Sequence, residues 1–233
     1  MTNATPTRRE RLRAQTTDEI KRVALKLMTD GGPDAIALRA IAREMRMTAG
    51  AIYGYYATRD DLITALINDV YTSLVDAMEA ARDEHPTSDP AGRLLAWGET
   101  FRRWAVDNPA GFRLIYGDPV SGYRVPDNGA APDAARRACI GLTALVAAAW
   151  PRASTAQASA DHQWSDFAPS LADSIQESFP GLPPAAVALA LRVWGRMHGL
   201  VTLEVYGHLR SQTTQPANLY RTEMLDLVRS LGL

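Results

Sequence analysis

One cysteine, Cys139, is too few for an intrachain disulfide framework, so this chain must be held together by apolar burial. Cys139 lies among Ala and Ile in a helical pattern and reads as a small buried hydrophobe. Long hydrophobic runs are missing too: none approaches the ~20 residues a membrane span needs. The first fifteen residues, MTNATPTRRERLRAQ, are polar and basic with no apolar segment behind them. Neither a signal peptide nor an anchor is expected there, and the protein is expected in the cytoplasm. There is no G-x-S-x-G elbow, no Gly-rich phosphate loop and no H-E-x-x-H. The four histidines, His85, His162, His198 and His208, stand in unrelated contexts, and His162 beside Asp161 has no third ligand near it. No catalytic residue, metal ion or cofactor is expected, and an enzyme is the poorly supported reading. Strand alternation and internal repeats are also lacking, which leaves helices.

What is present is enough to bury a sizeable core: 233 residues, 46% hydrophobic and 22% charged. Net charge is −1, which by itself argues against a nucleic-acid binder, but the charge is unevenly placed. Residues 1–60 carry 11 Lys+Arg against 7 Asp+Glu, and residues 61–233 carry 14 against 19. Phosphate affinity depends on a local basic patch rather than on the whole-chain sum. Residues 1–15 are expected to be a flexible basic arm, disordered off DNA and able to touch phosphates or the minor groove when bound.

The stretch from Ile36 to Leu62, IALRAIAREMRMTAGAIYGYYATRDDL, is the most informative. Leu38, Ile41, Ala42 and Met45 fall at the spacing of one apolar helix face, with Arg39, Arg43 and Arg46 pointing elsewhere. Thr48 can cap a second short helix whose core side is Ile52 and Tyr56. The other side carries Ala49, Gly50, Ala51, Tyr53 and Tyr55. Small residues there let backbone approach a groove, and tyrosine hydroxyls donate to phosphate oxygens. Two short helices so joined form a helix-turn-helix. Ile20, Val23, Ala24, Leu27 and Met28 form the stripe of a preceding helix that Gly31-Gly32-Pro33 ends. Thr58 and Asp61 make a capping box opening a long helix to about Glu84, with Leu62, Leu66, Val70, Leu74 and Met78 recurring every four residues.

The run LRAIAREMRMTAGAIYGYYATRDDL resembles the DNA-binding signature of the TetR/AcrR family of bacterial regulators. Arg39, Ile41 and Ala42 stand at that family's arginine and Ile-Ala pair, and Tyr53 at its recognition-helix tyrosine. Four positions depart from the pattern: Ala37 replaces a capping Ser or Thr, Arg46 the turn glycine, Tyr55 a histidine and Arg59 a lysine. The first two should each cost ~1 kcal/mol. The resemblance implies an all-α fold, with an N-terminal three-helix helix-turn-helix domain at 16–60 and a larger ligand-binding and dimerisation domain at 61–233. It assigns DNA contact to Arg39, Thr48, Ala49, Gly50, Ala51, Tyr53, Tyr55, Tyr56 and Arg59.

Beyond Pro90 the pattern predicts a helix carrying Leu94, Trp97, Phe101 and Trp104, a short segment FRLIYG, a Gly/Pro-rich loop, and a helix from Asp133 to Trp150. Residues 151–184 read as partly ordered, and two helices follow, Ala185 to Leu209 and Ala217 to Leu231. WGRMHGLVTLEVYGHL and FRRWAVDNPAGFRLIYGDPVSGY are similar to the family's subgroup with a Trp-x-x-x-His-Gly ligand domain. That resemblance implies a homodimer through the last two helices and a small hydrophobic or aromatic effector. The candidate lining is Trp97, Phe101, Trp104, Phe112, Trp194 and His198. An aromatic stripe at helical spacing is equally a core, and both readings stand for these residues. The expected activity is that of a regulator, more often a repressor in such a family, binding a pseudo-palindromic operator on double-stranded DNA. Its rivals are a transcriptional activator and a helical small-molecule-binding or protein-interaction module without DNA binding.

Overall fold

A computed structural model describes residues 7–124, 131–155 and 161–233. Among them ten α-helices and two 3-10 turns occur and no strand. No described helix is long and apolar enough to cross a membrane. The chain divides into two compact units, Met1–Tyr71 with Pro109–Pro132, and Thr72–Asn108 with Asp133–Leu233.

In the N-terminal unit, α1 (Arg8–Gly31) opens with a complete capping box. The Glu10 amide donates to Thr7 Oγ1 at 3.3 Å, and the Thr7 amide donates to the Glu10 carboxylate at 2.7 Å. Two orphan amides thereby gain partners, and Arg, Leu, Ala and Glu propagate the helix. The arm expected to be flexible over 1–15 is therefore helical from Arg8; residues 1–6 lie outside the described residues. Only the second half of α1 buries a stripe, Ile20, Val23, Ala24 and Met28, and Gly32 ends it at φ 79°.

The helix α2 (Leu38–Glu44) buries Leu38, Ile41 and Ala42 and starts at Ala37, which supplies no side-chain cap. Arg46, standing at the turn position that favours glycine, adopts φ 53°, the described non-glycine residue with positive φ. Left-handed backbone crowds Cβ against the next carbonyl. Arg46→Gly should accordingly stabilise the protein by about 1 kcal/mol, raising the melting temperature by roughly 2–4 °C; a calorimetric scan showing no rise would contradict this. Across the turn, the Met47 amide donates to Ala42 O at 2.8 Å. The Ala51 amide donates to Thr48 Oγ1 at 3.2 Å, capping α3 (Ala49–Tyr53).

The helix α4 (Arg59–Asp83) begins at the predicted capping box, with Thr58 N to Asp61 Oδ2 at 2.9 Å and Asp61 N to Thr58 Oγ1 at 3.0 Å. Its apolar face, Leu62, Ile63, Leu66, Val70, Leu74 and Met78, is buried throughout. The boundary expected at 60/61 instead divides α4 after Tyr71. The reason is the packing of its first three turns: Lys21 of α1 pairs with Asp69, and Tyr71 meets Tyr116 of α6 (Pro109–Tyr116) edge-on at 5.7 Å. α6 packs on α1, burying Phe112 and Leu114, so a segment expected in the 61–233 domain falls in the N-terminal unit.

The C-terminal unit is built from α5 (Pro90–Asp107), α7 (Ala131–Ala153), α8 (Pro169–Ser178), α9 (Pro184–Val205) and α10 (Pro216–Ser230). α5, α9 and α10 pack on one another. The Tyr220 hydroxyl donates to Gly98 O at 3.0 Å, and Arg102 of α5 grips Glu204 of α9 through Nε at 2.8 Å and a second guanidinium nitrogen. A side chain at Gly98 would meet Met224 Sδ at 2.8 Å, so glycine permits this approach of α5 to α10. Residues 151–184, expected to be partly ordered, contain the end of α7, a 3-10 turn at Trp164–Asp166 and α8, whose Ala172 and Ile175 are buried. Two apolar residues three apart are too short a pattern to announce a helix without the neighbour that covers them.

Candidate nucleic-acid interface

α3 is held from both ends of its own sequence. Thr48 caps its start, and Ile52, fully buried, anchors its inner side. The residues left outside are Ala49, Gly50 and Tyr53, the last 47% exposed, with Ala51 and Tyr55 half-buried. Nothing lies within 4 Å of a Cβ built on Gly50, so this face is open. Beside it lies a concavity of ≈ 410 Å³ lined by Ala37, Arg39, Tyr53, Ala57, Thr58 and Arg59. A guanidinium, a phenol and a threonine hydroxyl thus surround one recess next to an exposed helix face, a donor set suited to phosphate oxygens.

Two of the residues assigned to DNA are placed differently. Tyr56 is 9% exposed and sits near Lys21 and Asp69, and burial pushes its hydroxyl pKa up. It belongs to the core, as its position on the Ile52 side of the helix required. Arg59 turns inward: Nε donates to Ile36 O at 2.6 Å and Nη1 to Ser121 O at 3.0 Å, with Asp34 Oδ1 at 3.9 Å. The loop that follows α6 is strapped on further by Ser121 N to Asp34 Oδ1 at 3.1 Å and by Thr64 Oγ1 with the Tyr123 hydroxyl at 3.0 Å. Arg59 is thus a positioning residue that joins three segments. Arg59→Ala strips a charged donor from two carbonyls and should cost about 2 kcal/mol, measured by urea denaturation; a variant as stable as the parent would refute that role. Sequence reasoning missed this strap because its acceptors are backbone carbonyls 23 and 62 residues away. It also missed Arg13, whose Nη2 donates to Gly54 O at 2.9 Å and whose guanidinium lies 4.8 Å from the Tyr55 ring centroid.

Five of the six residues expected to line an effector site, Trp97, Phe101, Trp104, Trp194 and His198, lie in the C-terminal unit. Phe112 lies in the N-terminal unit, 5.3 Å from Tyr116. Trp97 is 2% exposed, pressed on Gly141, where a Cβ would lie 2.5 Å from its ring. Trp104 is buried, and its indole N–H donates to Ser73 Oγ at 3.1 Å. Phe101, His198 and Trp194 form a contiguous run of rings, the first pair tilted and the second edge-on, with centroids 4.6 and 4.9 Å apart, leading from buried Phe101 to a Trp194 that is 45% exposed.

Burial lowers the His198 pKa from 6.5 to about 4. Above about pH 6.5 the imidazole is neutral whether the chain is folded or not. As pH falls from there toward 4 the unfolded chain takes the proton first, so stability should drop by up to about 3 kcal/mol. Denaturation curves at several pH values check this, because His198→Leu should flatten that limb. An equally steep limb in the variant would place the effect elsewhere.

α9 also presents an apolar stripe outward. Leu191, Trp194, Leu203 and Tyr206 are 39–45% exposed, Leu219 of α10 is 42% exposed, and a Cβ at Gly195 or Gly199 meets nothing within 4 Å. α10 turns Tyr220, Met224, Leu227 and Val228 inward, and Leu231 just beyond it is buried too.

Comparison with known proteins agrees with this geometry. Residues 20–66 match the model described as bacterial regulatory proteins, tetR family, and residues 94–227 match the tetracyclin repressor-like C-terminal domain. The chain is 32% identical over 230 residues to the HTH-type transcriptional regulator Rv1816 of Mycobacterium tuberculosis H37Rv, covering 97% of this chain and 96% of that one. It is similar to the crystal structure of a regulatory protein designated SCO4313, with TM-score 0.74, 32% identity and coverage of 96% and 98%. The TetR family regulator PfmR of Thermus thermophilus shares the fold, with TM-score 0.62 at 16% identity, covering 90% of this chain and 97% of that one. A helix-turn-helix whose outer face is open beside a basic recess, matched end to end by such regulators, leaves one conclusion: the chain belongs to the TetR family of transcriptional regulators and is not an enzyme.

Proposed function

We propose that the protein is a cytoplasmic, ligand-responsive repressor that binds a pseudo-palindromic operator as a homodimer. The observation that carries this is the open face of α3, Ala49, Gly50 and Tyr53, lying against the recess of Arg39 and Thr58. Small residues enter the groove and read base edges, while Tyr53 and Arg39 hold phosphates and Thr48 fixes the start of α3. Tyr55 lies at the margin of this surface, stacked by Arg13. A helix-turn-helix reads one half-site, so two copies are needed for two half-sites about one helical turn apart. The outward stripe of α9 is the surface for that pairing. A small hydrophobic or aromatic effector acts in the C-terminal unit beside the rings of Phe101 and His198, and α4, shared by both units, carries its effect to the head.

Selection of duplexes from a random-sequence library, followed by transcription in vitro from a promoter bearing the selected site, tests the reading. The expected result is a two-fold-related consensus whose occupation lowers transcription. Recovery of no enriched sequence would sink it, and raised transcription would make the protein an activator.

A further inference from the structure

The turn between α2 and α3 is closed in a form that favours glycine. The Met47 amide donates to Ala42 O at 2.8 Å and the Arg46 amide to Arg43 O at 3.2 Å, the paired bonds that end many helices in a left-handed residue. That residue here is Arg46, at φ 53°, where glycine or asparagine would sit with less strain. Nothing inside the protein accounts for the arginine. Arg46 is exposed, and among the described residues none bonds to its guanidinium or pairs with it. Glu44, the nearest carboxylate in sequence, is held by Lys26 Nζ at 2.6 Å. Arg39 and Arg43, also exposed, precede Arg46 by seven and three residues, so one side of α2 runs as a positive edge into the turn.

We propose that Arg46 is a phosphate-contacting residue of the head, gripping the DNA backbone at the edge of the groove that α3 enters, and that the strained turn is kept because it presents this guanidinium. The inference rests on the reading of α3 as the helix in the groove. Arg46 stands three residues before Ala49, a separation that spans at most about 10 Å of chain, and an arginine side chain covers much of that length. Its reach ends at the flank of the open face. A planar fork of donors with no anion of its own is matched by phosphate oxygens, which can accept two parallel N–H bonds. Backbone strain that the fold enforces and does not use internally is characteristic of residues that clamp a ligand. A phosphate contact carries no base preference, so it adds affinity and leaves the sequence read by α3 unchanged.

The test compares wild type with Arg46→Gly, Arg46→Asn and Arg46→Lys, all full-length, on a duplex that wild type has recovered from a random-sequence library. Glycine and asparagine relax the turn and remove the charge, whereas lysine keeps it. For the glycine and asparagine variants, affinity should fall at least roughly fivefold at about 0.1 M salt, with the selected consensus unchanged. The slope of log affinity against log salt should fall by about 0.9 for each phosphate no longer neutralised, close to two units for a dimer. Arg46→Lys should keep the slope. The same glycine preparation should melt roughly 2–4 °C above wild type, so that its weaker binding does not come from a damaged fold. A glycine variant with the wild-type slope would overturn the proposal, whether or not its affinity has changed. So would a lysine variant that loses the slope as glycine does, since charge is then not what is missing. If wild type itself enriches no duplex, the reading of α3 fails and this inference with it; if wild type binds and only the slope is unmoved, the reading of α3 stands and Arg46 alone is refuted.

Discussion

Gly50→Glu should raise the thermal stability of this protein and at the same time remove its binding to DNA. Gly50 is the second residue of α3, exposed, and a Cβ there meets nothing within 4 Å. Within the protein the change is favourable. Glycine costs about 1 kcal/mol against a good helix former, and a carboxylate in the first turn interacts well with the helix dipole. On DNA the same carboxylate would face bases and phosphates from inside the groove. Juxtaposed like charges cost several kcal/mol, and the cost falls on both half-sites of a dimer, so a loss of at least 100-fold, about 2.7 kcal/mol, is expected. Opposite signs in the two measurements separate this from unfolding. A variant that melts higher and still binds the selected duplex would show that α3 does not enter the groove, and a variant that melts lower would show that the space beside Gly50 is filled.

The second large effect is expected at Gly199. Gly195 and Gly199 lie one turn apart on α9 within the stripe of Leu191, Trp194, Leu203 and Tyr206, and both have open space where a side chain would go. A Glu at 199 leaves the packing of the protomer untouched, yet it would prevent a second α9 from approaching closely and would carry a charge into the interface. Gly199→Glu should turn the proposed dimer into a monomer by light scattering. Operator affinity should then fall by about 10² to 10⁴, because the second head is no longer held at high effective concentration. A variant that remains dimeric would move the interface off α9. Deleting α10 is the poorer test, since Tyr220, Met224, Leu227 and Val228 are buried and its removal would unfold the C-terminal unit.

What could be read from the residues alone was whatever short-range physics specifies. Thr48 and Thr58 cap helices because their partners stand three residues away, and both caps are found as expected. The apolar repeats of α1, α2 and α4 face inward, since a stripe at helical spacing has only one way to be buried, whereas Leu219 of the α10 repeat is exposed. The missing turn glycine foretold a strained Arg46, and φ 53° is that strain. The destination of a side chain with two plausible partners was settled elsewhere. Arg59 could have met a phosphate, but Ile36 O and Ser121 O, brought to it by the fold, take its donors. Phe112 sits between two predicted ligand-domain helices in sequence, yet its burial with α1 and Tyr116 puts it in the N-terminal unit. Trp97 and Trp104 are buried where Gly141 makes room for one ring and Ser73 accepts from the other, and such close fits arise only when distant segments meet.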